Sequence, residues 1–116
     1  MLALCLAFIL HFIADFLLQR REVGQKKSSS LPHLAEHVFI IFVCFLPFGT
    51  KFALMNAAIH MLIDACTWNA YKFSVIKRNP KADQSFEYWK DHWFYVTIGL
   101  DQLLHALTII ILLGVL

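Results

Sequence analysis

The chain has 116 residues, of which 59% are hydrophobic, with a mean hydropathy of +0.64 and a formal net charge of +2. Soluble domains usually hold about 45–50% apolar residues, so the composition argues against an ordinary water-soluble globule, and the length suits four membrane helices and little else. Cys5, Cys44 and Cys66 are odd in number, lie in apolar runs and form no CxxC pair, which argues against a disulfide framework and reads as small apolar packing.

Segment one, about residues 2–19, begins at Met1 without a basic leader and carries His11 and Asp15, so it reads as a retained membrane helix rather than a cleaved signal. The polar stretch 20–31 follows, and Pro32 opens segment two, about 32–47, which stops at Pro47-Phe48-Gly49. At 16 residues and about 1.5 Å per residue it reaches only ~24 Å, which makes it a thin span or a re-entrant helix. Segment three, about 52–72, holds Asn56, His60 and Asp64. A cytoplasmic loop over about 73–92 mixes Phe86, Tyr88 and Trp89 with charges, and Trp93 follows at its edge, as at a membrane interface. Segment four, about 93–116, is long enough to span with tilt.

Nine of the ten lysines and arginines fall in the first and third connections or, for Lys72, at the edge of the third, and only Lys51 lies in the second. The positive-inside rule then makes both basic loops cytoplasmic and sets both termini outside. The expected fold is an all-α, integral membrane four-helix bundle forming one domain over residues 1–116. Basic loops of this number and position are a topology signal, so nucleic acid is discounted as a partner.

Three ionisable pairs sit inside these apolar runs: His11-Phe-Ile-Ala-Asp15, His60-Met-Leu-Ile-Asp64 and, reversed, Asp101-Gln-Leu-Leu-His105. A spacing of four places both members on one helix face. One Asp at mid-membrane costs roughly 2.5–3.5 kcal/mol on an insertion scale, so three pairs need a common cause. Counting about 1.5 Å per residue from the cytoplasmic ends puts the aspartates about 8–12 Å deep and their histidines about 14–18 Å deep. The reversal in segment four is what an antiparallel helix needs for the same layering. His37 joins the aspartate depth. Gln19, Asn56, Thr97 and Thr108 extend the polar stripes, which should face one another because lipid would leave them unsatisfied.

Bound metal, protonated carboxylates or His⁺–Asp pairs could each neutralise such a cluster. Imidazole and carboxylate donors suit zinc first, then iron or manganese. The expected ligand set is His11, Asp15, His37, His60, Asp64, Asp101 and His105, around one or two ions. Asp15, His37 or Asp101 would serve as general base, and Gln19, Asn56 and Gln102 as supporting polar groups. For a single HxxxD the bland reading is an internal hydrogen bond; three at matched depth in lipid favour metal or proton chemistry. His33-Leu-Ala-Glu36-His37 spells HxxEH without the surrounding peptidase architecture, so His33 and Glu36 read as interfacial. Cys44 shares the His37 face and reads as packing, and Lys72 as positive-inside placement.

The strings His11-Phe-Ile-Ala-Asp15-Phe-Leu-Leu-Gln19, His60-Met-Leu-Ile-Asp64 and Asp101-Gln102-Leu-Leu-His105, with His37 between, resemble a family of small bacterial and phage membrane proteins of unknown function. The resemblance spans nearly the whole chain. It implies a common site built from these His, Asp and Gln residues in a bacterial inner membrane, and it supplies no activity. In that family a lysine closely follows the middle HxxxD, whereas here the nearest is Lys72, eight residues on.

The functional expectation is a membrane-embedded, metal-dependent hydrolase whose site opens to the cytoplasmic leaflet and takes a lipid or other amphiphile. Two other classes use the same residues. One is a metal-ion or proton-coupled transporter, acting as a homo-oligomer. The other is a structural or signalling subunit stapled by its metal.

Overall fold

The computed structural model describes residues 1–17, 31–81 and 86–116. Among them the architecture is all-helical. Helix α1 (Leu2–Phe12) runs into a wide π turn at Ile13–Leu17. Helix α2 (Leu31–Phe45) ends in a 3-10 turn at Leu46–Phe48, α3 spans Thr50–Arg78 and α4 spans His92–Val115. Gln19 and the basic residues Arg20, Arg21, Lys26 and Lys27 lie outside the described residues.

Local chemistry explains the boundaries. Pro32 sits in the first turn of α2, where a missing N–H breaks no helical bond. Pro47 in the 3-10 turn and Gly49 at φ +106° reverse the chain into α3, and a side chain at Gly49 would be strained at that φ. Asp91 caps α4, accepting a hydrogen bond from the Trp93 backbone N–H at 3.4 Å.

Helix α3 is longer than the pattern suggests. Residues 73–78, expected in a loop, are helical. Lys77 and Arg78 complement the negative end of the helix dipole. Arg78 also forms a two-pronged pair with Asp91, at 3.1 and 2.9 Å, which ties the end of α3 to the start of α4. Among the described residues between them, Tyr88–Lys90 form a 3-10 turn.

The four helices close into a ring. His37–His60 and Phe45–Phe52 contacts set α2 antiparallel to α3. His60–His105, Thr67–Asp101 and Tyr71–Phe94 do the same for α3 and α4. Helix α1 packs on α4 through His11–Gln102 and on α2 through Asp15–His37.

Each helix buries one stripe. In α2 it is Leu34, His37, Ile41 and Phe45; in α4 it is Asp101, His105, Ile109 and Leu112. These spacings of three and four keep one face turned inward. One end of the interior is apolar, with Ile41, Phe45, Phe52, Ala53, Ile109 and Leu112. At the other end Trp68, Tyr71 and Phe94 pack together at centroid distances of about 6 Å. The histidines and aspartates occupy the layer between. The outer faces are apolar: Leu54, Leu62, Leu103 and Ile111 are each more than half exposed. Among the described residues two helical stretches, Leu31–Phe48 and His92–Val115, are long and apolar enough to cross a membrane, and Leu2–Phe16 is a shorter apolar helix.

Candidate metal centre

His11, Asp15, His37, His60, Asp64, Asp101 and His105 are all buried, none more than 8% exposed, and they form a single cluster at the centre of the bundle. Asp64 is its hub. Its Oδ2 lies 3.2 Å from both His37 Nε2 and His60 Nε2, and its Oδ1 lies 3.2 Å from His105 Nε2. Three helices therefore converge on one carboxylate.

Asp15 is held differently. The His60–Asp64 and Asp101–His105 pairs each close to 3.2 Å within their own helix, but His11 Nε2 stays 3.7 Å from Asp15 Oδ2. The π turn at Ile13–Leu17 carries Asp15. A turn of this kind widens the helical spiral and changes the direction of the side chains on it. Asp15 Oδ1 instead reaches across to His37 Nε2 at 3.0 Å, and Oδ2 accepts from Gln102 Nε2 at 2.9 Å. The wide turn thus exchanges a tight contact within α1 for ties to α2 and α4.

His37 Nε2, His60 Nε2, Asp15 Oδ1 and Asp64 Oδ2 crowd around one point. His37 Nε2 lies 2.9 Å from His60 Nε2, 3.0 Å from Asp15 Oδ1 and 3.2 Å from Asp64 Oδ2. From His60 Nε2 the two carboxylates are at 3.7 and 3.2 Å. One N–H proton on each ring cannot serve so many lone pairs. A tetrahedral ion with ligand bonds of about 2.0–2.1 Å has its ligands about 3.3 Å apart, and the observed separations bracket that value. Two groups, Asp15–His37–His60–Asp64 and Asp15–Asp101–His105, could each hold a metal ion, their ligand atoms lying within 4.8 Å of one another. Two neutral nitrogens and two carboxylates suit zinc, iron or manganese.

Around these atoms lies a supporting shell. Thr67, which the HxxxD pattern does not flag, places Oγ1 2.5 Å from Asp101 Oδ1 and 2.8 Å from the Ile63 carbonyl. Its signal was available, because it follows Asp64 by three and so shares its face. Gln102 donates to Asp15 Oδ2 and, at 3.4 Å, to Asp101 Oδ2, which orients its amide oxygen toward His11. His11 Nε2 must then carry the proton it donates to Gln102 Oε1 at 3.0 Å, and Nδ1 keeps a lone pair with no hydrogen-bond partner among the described residues. The His60 and His105 rings stack at 3.9 Å with 16° between their planes.

Other polar candidates stand apart. Asn56 is buried, and its amide nitrogen finds no partner among the described residues. Thr97 and Thr108 bond back to the carbonyls of Trp93 and Leu104 in their own helix. His33, Glu36 and Lys72 are half-buried. The cleft between Phe48–Phe52 and Leu113–Leu116 lies at the far apolar end and includes no member of the cluster.

No curated protein and no solved structure matches the chain. The family described as Protein of unknown function (DUF3307) matches residues 3–116, and the chain belongs to that family.

Proposed function

We propose that the protein is a membrane-embedded, metal-dependent hydrolase that acts on a lipid or another amphiphile from the cytoplasmic leaflet of a bacterial inner membrane. The observation that carries this reading is the convergence of His37, His60, Asp15 and Asp64 at ligand-to-ligand spacing inside a bundle whose outer face is apolar. An exterior carrying Leu54, Leu62, Leu103 and Ile111 more than half exposed is poorly suited to water and well suited to acyl chains. With four spans and both basic loops cytoplasmic, both termini lie outside and the site sits a few turns below the cytoplasmic surface, within reach of a lipid's linkage region.

When bound, a divalent ion lowers the pKa of a water molecule and polarises a carbonyl or phosphoryl oxygen. The protein's own residues do the rest. His37, His60, Asp15 and Asp64 supply the ligands, with zinc as the favoured ion. His11 is the proton acceptor, because Gln102 fixes its tautomer and leaves the Nδ1 lone pair available. Thr67 and Gln102 hold Asp101 and Asp15 in place.

A carrier built on the same residues is the second reading. A transport path needs polar steps through the whole membrane. Ile41, Phe45, Phe52, Ile109 and Leu112 fill the bundle on the far side of the cluster, which favours a dead-end site over a conduit.

The test is elemental analysis of detergent-purified protein never exposed to chelator, followed by incubation with phosphatidylethanolamine and phosphatidylglycerol vesicles and mass spectrometry of the products. Stoichiometric metal with chelator-sensitive lipid turnover is expected. Absence of metal sinks the reading, and metal uptake into proteoliposomes without turnover transfers it to the carrier.

A further inference from the structure

The Asp101–His105 side of the cluster is more than support for the first ion. His105 Nε2 lies 3.2 Å from Asp64 Oδ1 and 3.2 Å from Asp101 Oδ2, the same spacing that marks the His37–His60 side. Asp64 presents one oxygen to each side. Asp15 belongs to both groups, within 4.8 Å of His37, His60 and Asp64 on one side and of Asp101 and His105 on the other. Asp101 is also held as a ligating carboxylate is held, with Oδ1 engaged by Thr67 and Oδ2 turned into the cluster.

We propose that the site takes two divalent cations, the first at His37 and His60 and the second at Asp101 and His105, with Asp64 bridging them and Asp15 shared between them. This rests on the metal-dependent reading above and deepens it. Paired ions let one carboxylate use both oxygens at once, which explains why a single aspartate at the hub is approached by three imidazoles. They also suit a substrate bearing an anionic oxygen pair, such as a phosphoester, since two cations can clamp the two oxygens of a displacement. The helical arrangement fits as well: inward carboxylates and histidines from facing helices are how four-helix bundles assemble paired metal sites.

The experiment is a Mn²⁺ titration of detergent-purified, metal-stripped protein, read by equilibrium dialysis and by electron paramagnetic resonance. Wild type is expected to bind two equivalents per chain, with the six-line signal of isolated Mn²⁺ broadened by coupling at saturation. Asp101→Asn should bind one equivalent and regain the six-line signal. One equivalent in wild type overturns the second site and leaves the metal-dependent reading standing; none overturns both. A folded Asp101→Asn that still binds two equivalents, or that binds none, overturns the assignment of Asp101 to the second ion. If Asp101→Asn does not fold by circular dichroism, the wild-type count and its coupled signal decide alone.

Discussion

Replacing Thr67 by valine removes one hydroxyl and keeps the branched shape, which isolates the contact to Asp101. The hydroxyl has one proton and two acceptors, Asp101 Oδ1 at 2.5 Å and the Ile63 carbonyl at 2.8 Å. The shorter distance is that of a charge-assisted O–H···O⁻ bond, so the proton should serve the carboxylate. A hydrogen bond to a charged group contributes about 1.5–3 kcal/mol. At about 1.4 kcal/mol per factor of ten, losing it weakens binding of the second ion, the one assigned to Asp101 and His105, by roughly 10- to 100-fold, the range found when an outer-shell partner of a ligand is removed. Isothermal titration of Zn²⁺ into Thr67→Val and Thr67→Ser in detergent measures it. The valine variant should lose affinity by that factor and the serine variant should retain most of it. Equal affinity in wild type and Thr67→Val would mean that the proton goes to Ile63 and that Asp101 is oriented without it.

Two further outcomes test other parts of the molecule. Leu103, 54% exposed and two residues from buried Asp101, faces outward from the bundle; Leu103→Asp should disfavour insertion by about 2.5–3.5 kcal/mol on a translocon-type scale. Membrane fractionation would show depletion from the bilayer, and wild-type insertion would refute a lipid-facing α4. At the helix ends, the Arg78 guanidinium beside Asp91 pulls its carboxyl down to about 2. A depressed carboxylate stabilises the fold above its unfolded value of about 4 and loses that contribution as pH falls through the folded value. Melting temperatures of wild type and Arg78→Gln should therefore differ by a constant amount above pH ~4 and converge near pH ~2. A gap that persists below that pH would refute the pair as its source.

Much of the site was legible because helical geometry converts a spacing of four into a shared face, as it did for His60–Asp64 and Asp101–His105. The partners across helices were not. Nothing in the pattern distinguishes Asp64 as the carboxylate that meets His37, His60 and His105, since that depends on how four stripes rotate against one another. Spacing alone does not set Thr67 apart from Thr97 and Thr108, because the carboxylate it meets, Asp101, lies on another helix, while the other two bond only back to their own turn. The extension of α3 to Arg78 escaped because its anchor, Asp91, is thirteen residues away in sequence. The all-helical architecture followed from long apolar runs broken at Pro32, Pro47 and Gly49, features whose effects are local.

The wide turn at Ile13–Leu17 also bears on which sequence changes the chain can absorb. An i→i+5 turn advances the chain by about 80° per residue against about 100° in an α-helix, so the five residues of this turn cover nearly the rotation of four α-helical ones. Removing one residue here would restore an ordinary helix and leave Ala7 and His11 on the buried face, whereas removing one from the regular part of α1 would turn the residues before it by about 100°. This short stretch is therefore where α1 can lose a residue and stay in register with the other three helices.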